Sequence, residues 1–122
     1  MQHQFVWVDI PVKDLDRAIG FYSAVLGEKV SLESFPGFRF GLLPHADNNI
    51  SGCLVEGPNN PPSGAGPLVY LNAQGRLQAA VDAAVAHGGT VLEPPVQIGA
   101  HGHRAVILDS EGNRIALHSP VA

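Results

Sequence analysis

Apolar and polar positions along this chain change their period several times. Between Phe5 and Ile10 the run FVWVDI is β-branched and aromatic, and Pro11 follows it, so it predicts a strand. From Leu15 onward the spacing is helical, with Leu15, Ala18, Ile19, Tyr22, Val25 and Leu26 on one face, Asp14 ahead of them as an N-cap and Gly27 behind as a stop. Three more apolar runs, KVSLES, GFRFGLL and ISGCLVE, are set apart by Phe35-Pro36-Gly37 and by the polar HADNN, and predict three strands in a meander. The Pro- and Gly-rich GPNNPPSGAGP is a connector. After it the order repeats: a strand LVYLNA, a helix carrying Leu77, Ala80, Val81, Ala84 and Val85 that stops at His87-Gly88-Gly89, then TVLEPPVQI, HRAVILD and NRIALHS. DSEGN between the last two reads as a tight hairpin turn.

Superposing the halves sets Leu15 near Leu77, Gly27 near Gly88 and HADNN near DSEGN. The expected fold is α+β: two βαβββ modules, about residues 1–57 and 67–122, joined by a linker at 58–66 within one domain spanning 1–122. Such a unit covers one sheet face with its helix and leaves the other open. Two units together form a cupped mixed sheet with the helices outside, and the cup is the natural place for a site.

Composition narrows the function classes. A chain of 122 residues has room for one core, and 45% hydrophobic against 15% charged residues excludes disorder as the main state. A net charge of −4, with only seven Lys and Arg, offers no footprint for nucleic acid. No stretch approaches the roughly 18 apolar residues of a membrane span, and the N-terminus has no signal-peptide pattern. The lone Cys53 can form no internal disulfide, which fits a cytoplasmic protein.

The segments VDIPVKDLDRAIGFYSAVLG, SGAGPLVYLN and LDSEGNRIALHSP together resemble the vicinal oxygen chelate superfamily, which includes glyoxalase I, bleomycin-resistance proteins, fosfomycin-resistance enzymes and extradiol dioxygenases. The resemblance implies paired βαβββ modules and a homodimer. It also implies, in the metal-using members, His, Gln or Glu ligands on the first and last strands of each module. Those positions here carry Trp7, Leu68 and Ala116, with Ser51 to Cys53 on the fourth strand, and Trp, Leu and Ala ligate no metal. The expectation is therefore a small-organic-molecule site with no metal or other cofactor. The alternative is a lyase- or isomerase-type enzyme using either a relocated metal or metal-free histidine acid–base chemistry.

Strand alternation nominates the lining. Phe5, Trp7 and Asp9 on the first strand, Leu68, Tyr70 and Asn72 on its counterpart, and Arg114, Ala116 and His118 on the last strand are expected to face the cup. Val6, Val8, Ile10, Val69, Leu71, Ile115 and Leu117 then face the helices. Trp7 either stacks on a flat ligand or plugs the position as core. Asp9 needs a partner, for which Arg114 and Arg39 are the candidates, or else lies at the strand's wet end. His118 and His101 are the candidate acid–base groups, and His103 joins them at the mouth of the cup through the glycine-flanked IGAHGHRA. The candidate ligand-binding set is thus Trp7, Asp9, Arg39, Tyr70, Asn72, His103 and Arg114. His45 and His87 read as structural, and Cys53 as a small buried hydrophobe.

Overall fold

Asp14 starts the first helix as its side chain predicts: Oδ1 accepts the Arg17 N–H at 3.1 Å, and α1 runs Leu15–Leu26. Gly27 ends it at φ 71°, a left-handed conformation that glycine adopts without steric cost. The second helix, α2 (Leu77–Ala86), has no side-chain cap at its start among the described residues, and His87 closes it by donating Nδ1–H to the Ala83 carbonyl at 2.9 Å. Leu77, Ala80, Val81 and Ala84 are buried on α2 as expected, whereas Val85 points to solvent. The computed structural model describes residues 4–46, 50–57 and 60–122, so most of the HADNN turn and two residues of the linker lie outside the described residues.

Among the described residues, eight strands divide into two sheets of the same plan. In the first, β1 (Trp7–Pro11), β2 (Ser31–Phe35), β3 (Phe38–Leu42) and β4 (Ser51–Val55) lie in the order β1-β4-β3-β2. In the second, β5 (Val69–Asn72), β6 (Thr90–Gln97), β7 (His103–Leu108) and β8 (Arg114–Ser119) lie in the order β5-β8-β7-β6. The first strand of each module pairs parallel with the last, and the remaining pairs are antiparallel. The first strand begins later than its composition suggests. Phe5 and Val6 are each 75% exposed, so their β-propensity is overridden for want of a neighbouring strand. Register irregularities in β6 at Val91/Glu93 and Glu93/Val96 accommodate Pro94 and Pro95.

One apolar cluster lies between the helices and the inner faces of both sheets, from Ile10, Leu15, Phe21, Tyr22 and Leu54 to Ala80, Ile107 and Leu117. The DSEGN hairpin fastens the modules together. Buried Glu111 accepts the N–H groups of Lys13 and Asp14 at 2.8 and 2.9 Å and an ion pair from Arg17 at 2.7 Å. Buried Asp109 accepts the Tyr22 hydroxyl at 2.6 Å. Asn113 donates Nδ2–H to the Pro11 carbonyl at 2.7 Å, and Arg76 of the second module donates to the Val25 carbonyl at 2.5 Å. By contrast, edge strands β1 and β5 belong to separate sheets, and among the described residues no backbone hydrogen bond joins them.

Candidate functional site

Register fixes which side chains share the face away from the helices. In the first sheet Asp9 lies beside Cys53 and Cys53 beside Leu42, so Trp7, Asp9, Ser51, Cys53 and Leu42, with Phe40 and Phe38 further along β3, are on the open face. In the second sheet Tyr70, Asn72, Ala116, His118, Arg104, Val106 and Arg114 share it. Cys53, Val106 and Ala116 are buried there although they stand outside the helix-side core, so they form the floor beneath longer neighbours.

The first sheet's part of the face is mostly apolar, with two carboxylates, Asp9 on β1 and Glu33 on β2 beside Phe40. Trp7, 46% exposed, donates its indole N–H to Asp9 Oδ1 at 3.1 Å, and the Cys53 thiol approaches the same oxygen at 3.3 Å. Trp7 is therefore a half-open ring with its polar edge anchored, not a core plug. Burial pushes the Cys53 thiol up to about 11; the Trp7 contact opposes the shift, while the Asp9 carboxylate adds to it. Cys53 is a thiol at neutral pH and not a thiolate nucleophile. The rings of Phe38 and Phe40 lie 5.7 Å apart on the same face.

The second sheet's part is polar and cationic. His118 Nε2 is 2.6 Å from the His101 carbonyl oxygen, which only accepts, so Nε2 carries the proton in the neutral ring and Nδ1 is left as the basic atom. The Tyr70 ring meets His118 edge-on at 6.4 Å and is 47% exposed. Its hydroxyl bonds the Arg104 guanidinium, which also reaches Glu93 at 3.4 Å. Asn72 caps the turn that follows it by accepting the Gln74 N–H at 2.9 Å.

Among the described residues, hollows lie on either side of the seam between β1 and β5, two of which bear on the open face. The larger, about 430 Å³, takes Ser51, Tyr70 and Asn72 from the open face, apolar walls from Val8, Val69 and Leu71, and one carboxylate from Glu28. The smaller, about 270 Å³, lies between β1, β5 and the linker and includes Asp9 and Arg114. The larger is within the size range of small-molecule sites.

Two nominated residues are placed elsewhere. Arg39 shares the parity of Gly41, whose absent side chain makes room for Ile19 of α1, so Arg39 faces the helix side and pairs with Asp16 at 3.5 Å and Glu56 at 3.8 Å. It does not reach Asp9. His103 likewise shares the parity of Ala105 and Ile107, and stands beside Ser119 on the helix side. His101 contributes its backbone carbonyl to His118, from a short 3₁₀ turn at Gly99–His101. Asp9 finds its partners in Trp7 and Cys53 and makes no ion pair with Arg114 among the described residues. Arg104 and Glu93 were not nominated. HRAVIL gives no alternation from which to place Arg104, because Ala105, Val106 and Ile107 are all buried; its side follows from the pairing with β8.

Residues 4–117 match the model of the Glyoxalase/Bleomycin resistance protein/Dioxygenase superfamily, and the chain belongs to that superfamily. It is 29% identical over 119 residues to the Mycobacterium bovis protein named "Putative glyoxylase CFP32", a match that covers 94% of this chain but 43% of that protein. The chain thus spans less than half the length of the curated relatives it matches. Among solved structures it is similar to a glyoxalase/bleomycin resistance protein from Albidiferax ferrireducens T118, at 26% identity, a TM-score of 0.71 and coverage of 96% and 98% of the two chains. A glyoxalase-related enzyme from Fulvimarina pelagi shares the fold at 15% identity and a TM-score of 0.72, over 97% of this chain and 88% of that one.

The divalent-metal set that membership implies does not fit the residues present. Trp7, Leu68 and Ala116 offer no donor, Cys53 is held as a thiol, and Ala116 is sealed beneath its neighbours. Among the described residues no group of three or more His, Cys, Asp or Glu side chains converges as a metal site would require. Nor is any helix among them long and apolar enough to cross a membrane.

Proposed function

We propose that this superfamily member binds a small, flat organic molecule against the open face and the seam between β1 and β5, without a divalent metal at the superfamily's ligand positions. The observation that carries the reading is Trp7. It occupies a ligand position, yet its ring is half open and its indole N–H is tied to Asp9, so an exposed aromatic face is held ready on the open side of β1, while Tyr70 of β5 lines the hollow of about 430 Å³. Tyr70 stands on the other side of the seam, also half exposed. Trp7 is the chain's one tryptophan, so its emission reports the site directly. Titration with a panel of flat aromatic compounds is expected to quench or shift that emission, and Trp7→Leu to abolish the binding as measured by calorimetry. Indifference to the whole panel would sink the reading, as would stoichiometric metal in protein purified without a histidine tag.

A second reading is supported by His118. Its ring orientation is fixed by the His101 carbonyl, which leaves Nδ1 as a base beside Tyr70 and Arg104, an arrangement suited to proton abstraction in a lyase or isomerase. Turnover that survives chelator and disappears in His118→Ala would favour it. Exposed Phe5, Phe38, Leu92 and Val96 favour assembly as a homodimer, which light scattering tests directly.

A further inference from the structure

Across the second sheet the open-face residues fall into rows. Asn72, His118, Arg104 and Val96 form one, and Tyr70, Ala116, Val106 and Glu93 the next. The middle of the second row is small and fully buried, and its two ends are long and polar. Arg104 reaches from the first row to both of those ends: Nη1 donates to the Tyr70 hydroxyl, and Nη2 lies 3.4 Å from Glu93 Oε1. Its guanidinium therefore spans the strip above Ala116, a position from which a metal-using relative would supply a ligand.

The way this cation is held is unequal on its two sides. Nη1 is engaged by Tyr70, whose ring centroid lies 5.8 Å from the guanidinium carbon. On the other side, among the described residues, Nε–H is buried without an acceptor and Nη2 has only the long contact to a half-exposed Glu93. Nε and Nη2 form one edge of the guanidinium plane, the fork that a carboxylate fills with two parallel hydrogen bonds. A buried donor without an acceptor is costly, so an incoming oxyanion gains more here than at a solvated arginine. The surroundings agree in sign. Arg114 lies on the same face, and among the described residues Glu93 is the one carboxylate paired with Arg104. The apolar surface beside it is the half-exposed ring of Tyr70.

We infer that Arg104, positioned by Tyr70, recognises a carboxylate, and that the ligand is a small aromatic or otherwise apolar organic acid. This deepens the open-face reading and rests on it. The test compares benzoate with its neutral isostere benzamide by calorimetry and Trp7 emission, with indole as a neutral aromatic control. Benzoate is expected to bind at least tenfold more tightly than benzamide. Arg104→Gln should erase that preference, and Arg104→Lys, which keeps the charge but not the fork, should restore only part of it. Tyr70→Phe, which releases the guanidinium without removing it, should weaken benzoate several-fold, and Glu93→Gln should tighten it by removing the competing carboxylate. Urea midpoints of all four variants identify any that fail to fold, and the benzoate-to-benzamide ratio in wild type stands independently of them. Equal binding of benzoate and benzamide, or a preference that survives Arg104→Gln, overturns the carboxylate inference and leaves the open-face site standing. So does binding of indole without benzoate. If none of the three binds, the open-face reading falls and this inference with it.

Discussion

The two modules share strand order, parallel closing pair and helix placement, yet they divide the labour of the molecule. Module 1 supplies bulk: α1 buries Leu15, Phe21, Tyr22 and Val25 beside Ala18, where α2 buries Leu77 and Val81 with the two alanines Ala80 and Ala84. Module 2 supplies polar reach. Its DSEGN hairpin sends Asp109, Glu111 and Asn113 into the start of module 1, and its open face carries Arg104, Arg114 and His118 where module 1 offers aromatic rings and the carboxylates of Asp9 and Glu33. A repeated plan therefore fixes backbone geometry and leaves each copy free to specialise, one as the packing body and the other as the source of charge.

That division can be broken most directly at Glu111. Glu111→Ala leaves the Lys13 and Asp14 N–H groups and the Arg17 guanidinium without their buried acceptor, and should cost about 3 kcal/mol in urea unfolding. Acid acts on the same group. Burial would raise the Glu111 carboxyl, but Arg17, the Asp14 N–H, the Ser110 hydroxyl and the Lys13 N–H outweigh it and bring the group down to about 2. A folded value below the unfolded one gives stability that is complete above the ordinary glutamate range near 4.3 and is lost as pH falls toward 2, on the order of 2–3 kcal/mol. Stability curves between pH 6 and pH 2 should show that loss, and Glu111→Gln should flatten it.

Tyr22→Phe sharpens the comparison from the module 1 side. It removes the hydroxyl that meets buried Asp109 while keeping the ring, and should cost about 2 kcal/mol by the same assay. Smallest is the cap. Asp14→Ala should lower stability by about 1 kcal/mol, an effect with no counterpart in α2, whose start has no side-chain cap to lose among the described residues.

Legibility in the sequence followed the strength of local signals. Asp14 and Gly27 bound α1 because caps are local chemistry, and DSEGN makes its hairpin for the same reason. The reach of that hairpin was hidden, because Glu111 and Lys13 meet only once the chain has folded. Strand parity was legible where one face alone is apolar. In FRFGL the apolar residues Phe38, Phe40 and Leu42 take the open face, and Arg39 the helix side, because Ile19 needs the space that Gly41 leaves. In HRAVIL, Ala105, Val106 and Ile107 are all buried, so hydrophobicity could not assign the sides of His103 and Arg104. Trp7, Asp9, Tyr70, Asn72, Arg114 and His118 fell on the open face because the first and last strands of each module alternate cleanly.

The seam between β1 and β5 bears on how such a molecule changes over generations. Each sheet completes its ladder internally, and the hollow between them is bounded by side chains such as Val8, Val69 and Tyr70 instead of by paired backbone. Its width and polarity can then be rewritten one residue at a time, with every ladder hydrogen bond left intact. Evolvability of the binding surface is thus decoupled from the integrity of the scaffold, and a single architecture can exchange one ligand for another without passing through an unfolded ancestor.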